Sequence, residues 1–132
     1  MSMINTLDLE RKIREEDEFD EEAVLVNKAP DVHILINKYI TEKNMKHTDI
    51  IRMLNVERSY GYQLLNGRRI PTRIQIVKIG LILNLNFTEM QKMLKSAGKE
   101  ILYARNVTDA RVIYALEHSL DYEKACEFIW GE

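Results

Sequence analysis

The chain has 132 residues, enough for one ordinary domain with its own core or for a small domain with an appendage. An apolar share of 45% with 30% charged residues describes a folded globular protein, not a disordered chain, and no apolar run is long enough to span a bilayer. The net charge of −2 argues against a polyanionic partner until its distribution is read. Residues 1–37 hold ten acids and four bases, residues 38–99 hold twelve bases and four acids, and residues 100–132 hold seven acids and three bases. A block of +8 thus lies between two acidic ends, the pattern of a polyanion-binding region inside an otherwise acidic chain.

In chain order, residues 1–30 read as an acidic leader. The run REEDEFDEEA at 14–23 is a solvated stretch, while Ile4, Leu7, Leu9 and Ile13 predict a short amphipathic helix near 6–17. The start lacks the apolar core and small-residue cleavage site of a secretory signal, and the one cysteine, Cys126, can form no internal disulfide. Both features fit a cytoplasmic protein. Pro30-Asp31 marks a boundary. Val32, Leu35, Ile36, Tyr39 and Ile40 then recur at helical spacing and predict a first helix to about Lys43.

A second helix is expected over about 46–54, with Ile50, Ile51 and Leu54 inward. Asn55 follows as a turn residue that tolerates a left-handed backbone, and Val56 plugs the gap. A third helix, about 58–65, ends at Asn66-Gly67. Thr72 caps a fourth that carries Ile76, Ile79, Gly80 and Leu83 and ends near Asn84. Asn86 with Glu89 forms a capping box for a fifth, which Gly98 stops. Thr108 is the predicted cap of a sixth helix over 109–118, and Asp121 of a seventh over 122–130. No convincing strand appears, only an extended piece at Ile101–Tyr103. The predicted class is all-α.

Residues 32–97 resemble the lambda repressor-like, or XRE-type, helix-turn-helix family. Asn55 stands at that family's turn glycine and Gly67 at its loop glycine. Asn66-Gly67-Arg68-Arg69-Ile70-Pro71-Thr72 matches its Gly-basic-basic-x-Pro-Ser/Thr loop, and Leu83-Asn84-Leu85-Asn86 its Leu-Gly-Val-Ser segment. Tyr60 to Arg69, with Tyr103-x-Arg105 and Thr108-Asp109-Ala110-Arg111, is also similar to a group of small bacterial regulators with a helical C-terminal tail. The sequence departs from the family at Lys46, where a Ser or Thr usually caps the second helix. It also departs at Glu57, at Leu65, and at Gly61, where a β-branched residue normally packs. A glycine inside a helix costs up to about 1 kcal/mol relative to alanine. Its reason here is a close backbone approach, to the helix beneath or to DNA.

The resemblance implies a five-helix helix-turn-helix domain over 31–98, preceded by the leader, 1–30, and followed by a helical extension over 99–132. It implies binding to double-stranded DNA, with the third helix in the major groove, by a homodimer on paired half-sites. Arg58, Ser59, Tyr62 and Gln63 fall at the base-reading positions. Arginine there bonds bidentately to guanine and glutamine to adenine. Lys46, His47, Arg68, Arg69 and Arg73 fall where the fold meets phosphates. Of the two nearby tyrosines, Tyr60 is expected to pack and Tyr62 to face outward. Nothing points to an enzyme, a cofactor or a metal: His33, His47 and His118 are scattered, and no phosphate-binding glycine loop is present. Phe128, Ile129 and Trp130 crowd the last helix and must dock on the core or on a second subunit. The resulting function is a sequence-specific transcription regulator. The alternative is an antitoxin-like adaptor whose acidic leader binds a protein partner, with DNA binding secondary or lost.

Overall fold

The computed structural model describes residues 31–132, which contain seven α-helices and, among the described residues, no strand. They are α1 (Val32–Glu42), α2 (His47–Leu54), α3 (Arg58–Asn66), α4 (Arg73–Ile82), α5 (Phe87–Ser96), α6 (Val107–Glu117) and α7 (Tyr122–Trp130). The expected helix over 6–17 lies outside the described residues.

Local sequence signals set most of these boundaries. Asn55 adopts the left-handed backbone expected of it, with φ +56°, and closes α2 through its N–H bond to the Arg52 carbonyl. Gly67 ends α3 at φ +86°. A Cβ there would also lie 2.5 Å from the His33 ring, so the position excludes a side chain on two counts. Thr72 with Gln75 and Asn86 with Glu89 form complete capping boxes on α4 and α5. One cap differs from expectation. The α6 N-cap is Asn106, whose Oδ1 accepts from the Asp109 N–H at 3.0 Å, so Thr108 lies inside the helix. The Ile101–Tyr103 piece is not a strand. Leu102 satisfies both its backbone groups on one side chain: its N–H donates to Gln91 Oε1 at 2.7 Å, and its carbonyl accepts from Gln91 Nε2 at 3.1 Å.

Helix α4 is the centre of the assembly. Ile76, Val77, Ile79, Gly80, Leu81 and Ile82 are all buried, which leaves only a narrow open strip at Ile74 and Lys78. A helix this apolar must be covered over most of its circumference. Here α2, α5, α6 and α7 each lie against it. The last two bring Val112, Ala115, Leu116, Ala125 and Ile129 into the same core as Ile36, Ile50 and Met90. Residues 31–132 accordingly form one compact unit. The crowded last helix divides its three large apolar groups: Ile129 is buried, Trp130 packs at the edge of the core under Lys78, and Phe128 stays exposed.

The approach of α3 to α2 explains Gly61. A Cβ on Gly61 would lie 2.5 Å from Ile51 Cγ2 and 2.9 Å from Cγ1, so the close contact is with the helix beneath. Ile51 is β-branched and buried and cannot swing away cheaply. Gly61→Ala should therefore destabilise the fold by roughly 1–2 kcal/mol, the overpacking cost less the helix-propensity gain. Denaturant unfolding should show a lower midpoint at unchanged slope, and the loss should shrink in an Ile51→Ala background, where the clashing carbons are gone.

Candidate nucleic-acid interface

The exposed side of α3 carries Arg58, Ser59, Asn66 and, half-buried, Tyr62 and Gln63, while Gly61, Leu64 and Leu65 point to the core. Ser59, Tyr62, Gln63 and Asn66 stand at i, i+3, i+4 and i+7 and so form one stripe. Tyr62 lines two clefts. One includes Asp49 and Arg52 of α2 and Arg58 of α3; the other includes Asn37, His47 and Asn66. The start of α2 and the open stripe of α3 therefore share one face.

Both tyrosines are half-buried. Tyr62 stays on the open stripe and also packs on the edge of the apolar core, with the Arg58 guanidinium carbon 5.8 Å from its ring centroid. It lines the groove between α2 and α3. Tyr60 lies at the other flank, with the Arg69 guanidinium carbon 5.7 Å from its ring and its hydroxyl accepting from Gln75 Nε2 at 3.2 Å. Gln75 belongs to the α4 capping box, so Tyr60 ties α3 to the start of α4.

Arginines stand at both ends of the stripe. Arg58 opens α3 and is exposed. After Gly67 come Arg68 and Arg69, both exposed. The Arg68 N–H donates to Asn66 Oδ1 at 3.0 Å, and the Arg69 N–H to the Gln63 carbonyl at 3.1 Å. The Arg69 side chain turns back as well, its Nε donating to Gln63 Oε1 at 2.9 Å. On α2, Lys46 is exposed at the N-cap and supplies no side-chain cap bond. His47 is half-buried, with Nε2 2.6 Å from Asn37 Oδ1. Asn37 donates through Nδ2 to the carbonyls of His33 (2.7 Å) and Leu65 (2.8 Å), which fixes its oxygen toward His47. The shared proton therefore sits on His47 Nε2, and one amide joins α1, α2 and the end of α3.

Arg73, expected at the phosphates, is committed elsewhere. Its Nη1 and Nη2 donate to Asp109 Oδ1 (3.1 Å) and Oδ2 (3.0 Å). Nε donates to the Glu100 carbonyl (2.9 Å), and Nη2 also reaches the Ile101 carbonyl (3.3 Å). Asp109, only 6% exposed, also accepts from the Tyr103 N–H at 3.0 Å. The first residue of α4 is thus stapled to the segment leading into α6.

Glu57 is the N-cap of α3. Its two carboxylate oxygens accept the N–H groups of Ser59 and Tyr60, both at 2.9 Å. These bonds, Ser59's first, hold the carboxyl below its ordinary value of 4.5. The sequence marked Glu57 only as a departure from a family pattern. Its role was legible from the cap position alone, although glutamate is an uncommon N-cap. The pairs Gln63–Arg69, Tyr60–Gln75, His47–Asn37 and Arg73–Asp109 had no sequence signal, because each joins residues whose proximity only the fold creates.

Among the described residues no group of three or more His, Cys, Asp or Glu side chains could hold a metal ion, and no helix is long and apolar enough to cross a membrane. No family model matches the chain, and neither does a curated protein or a solved structure.

Two predictions follow from this chemistry. Asp109→Ala takes the carboxylate from the Arg73 guanidinium, which keeps only its two carbonyl acceptors, and leaves the Tyr103 N–H without its acceptor. It should cost roughly 2–3 kcal/mol, less than a fully buried pair would, because a third of the Arg73 side chain meets solvent. Thermal unfolding checks it, and the Arg73→Ala/Asp109→Ala double variant should lose less than the two single losses combined. For Glu57 the folded value is depressed, so its stabilising contribution is complete above the unfolded value of about 4.5 and is lost as pH falls through the lower folded value. Acid unfolding followed by circular dichroism should therefore be shallower in Glu57→Gln than in the parent protein through that window.

Proposed function

We propose that residues 31–98 form a lambda repressor-like helix-turn-helix domain that binds duplex DNA sequence-specifically, extended by the α6–α7 hairpin. The protein acts in this reading as a non-enzymatic transcription regulator, as a homodimer on paired half-sites. The observation that carries it is the arrangement around α3: a helix held to α2 by a three-residue turn, with a polar stripe outward and arginines at both ends. A helix so mounted can enter a major groove, where side chains of this kind meet base edges while flanking cations meet phosphates. Arg58, Ser59 and Gln63 are the base-reading residues, with Tyr62 a platform under Arg58. Lys46, Arg68 and Arg69 are the phosphate-facing cations. His47 is there to orient the start of α2, and Arg73 drops out of the set because its guanidinium is committed to Asp109 and two carbonyls.

One feature favours the second reading, an antitoxin-like adaptor with weak or lost DNA binding. The Glu57 carboxylate is exposed at the N-terminus of α3, on the side from which phosphate would approach, and its depressed pKa keeps it charged. Arg58 and the loop arginines outweigh it in number.

The test is selection from a random duplex pool at low salt with the full chain. One enriched motif with two-fold symmetry is the expected result; no enrichment over a protein-free control overturns the regulator and leaves the adaptor. Glu57→Ser, which keeps a capping oxygen and removes the charge, should bind the selected duplex more tightly than the parent. Equal or weaker binding would place Glu57 away from the phosphates.

A further inference from the structure

Resting on the homodimer in that reading, we propose that the outer face of α6 is the dimer interface. Two copies pair antiparallel about a two-fold axis at Tyr114, with Arg111 of each copy against Glu117 of the other. The inner side of α6 packs on α4, α5 and α7, and its outer side is open. Tyr114 stands at the middle of that open side and is 48% exposed, and Phe128 of α7, 40% exposed, widens the patch. Adjoining exposed aromatic groups rimmed by charges mark a contact surface.

This ridge is rigid before any partner arrives. The His118 ring stacks on Tyr114 with centroids 3.8 Å apart, and His118 Nδ1 donates to the Tyr114 carbonyl at 2.9 Å. Phe128 lies 5.2 Å from Tyr114, and the Arg111 guanidinium carbon lies 5.9 Å from the Phe128 ring centroid. Side chains already held lose little freedom on binding. Arg111 and Glu117 are both exposed, and among the described residues neither has an ion-pair partner.

The face is complementary to itself. Arg111 lies three residues before Tyr114 and Glu117 three residues after it, on opposite flanks of the ridge. An antiparallel two-fold at Tyr114 therefore sets each arginine against the other copy's glutamate, and sets the small Ala110 against the His118 ring. Parallel pairing would oppose like charges instead. A uniformly acidic or basic partner would match one flank and be repelled at the other; a second copy matches both. Helix α3 packs on α1 and α2, so pairing through α6 leaves its polar stripe open in both copies.

The experiment is sedimentation of the full chain without DNA, over a concentration series at low salt, where exposed pairs are least screened. The parent is compared with Arg111→Glu, Glu117→Arg, the double exchange Arg111→Glu/Glu117→Arg, and Tyr114→Ala. The parent should dimerise as its concentration rises. Each single charge reversal should weaken the dimer by about tenfold or more, because the two-fold counts every substitution twice. The double exchange restores opposite charges across the axis and should recover most of the parent's affinity. Tyr114→Ala should weaken the dimer at unchanged salt dependence. Circular dichroism should be the same for all five, since the altered side chains are exposed.

A parent that stays monomeric at every concentration overturns the proposal. So does a dimer that the single reversals leave unchanged, which places the interface elsewhere, or a double exchange as weak as the singles, which removes the antiparallel register. The duplex selection separates this from the DNA-binding reading. A two-fold motif from a chain whose α6 does not pair keeps the regulator and loses this interface. A dimer that obeys the charge exchange and selects no motif keeps the interface and loses the regulator.

Discussion

A helix that is buried over most of its circumference dictates this architecture. Five large aliphatic side chains of α4 are buried around its circumference, and removing each from water is worth about 1.5–3 kcal/mol. An element of that kind cannot sit at the surface. The helices α2, α5, α6 and α7 are the walls that close around it. The C-terminal hairpin is for this reason part of the core, and the ring of walls leaves α1 and α3 to form the flank on which the open helix is displayed.

The start of α4 connects this core to the presented surface. Thr72 and Gln75 close its first turn, and Gln75 reaches Tyr60 on α3. Two residues before Gln75, Arg73 holds the carboxylate of Asp109 and two carbonyls of the incoming chain. Two side chains of the first turn thus fasten the same helix end to α3 on one side and to the lead-in of α6 on the other. Loop geometry beside the exposed stripe is set by buried and capped groups, so the arginines at 68 and 69 project from a fixed frame.

Electrostatics gives the face its character. The chain as a whole is slightly acidic, yet Lys46 stands where α2 begins, Arg58 where α3 begins, and Arg68 and Arg69 just past its end. Glu57 runs against that trend. It supplies the cap that α3 needs through two N–H bonds, at the cost of a negative charge at the mouth of the same surface. The exposed aromatic group at the far hairpin, where Tyr114 stacks on His118 with ring centroids 3.8 Å apart and lies 5.2 Å from Phe128, belongs to a separate part of the surface.

Sequence alone determined what nearest neighbours along the chain can decide. The helical spacing of apolar residues placed all seven helices. Asn55, Gly67, Thr72, Asn86 and Asp121 carry their own turn and capping chemistry and could be read singly. The α6 cap was misplaced because Asn106 and Thr108 are both competent, and only the direction of the incoming chain selects the asparagine. What the sequence could not decide is which long polar side chains are free. Arg69 and Arg73 stand four residues apart in one basic loop and look alike. The fold ties Arg69 to Gln63 on the open face and buries the end of Arg73 on Asp109, thirty-six residues away. The partners of Tyr60 and Tyr62 follow the same rule. Helical geometry separates them onto different sides, but which side has a wall depends on where α2 and α4 lie, and that is fixed only when the core closes around α4.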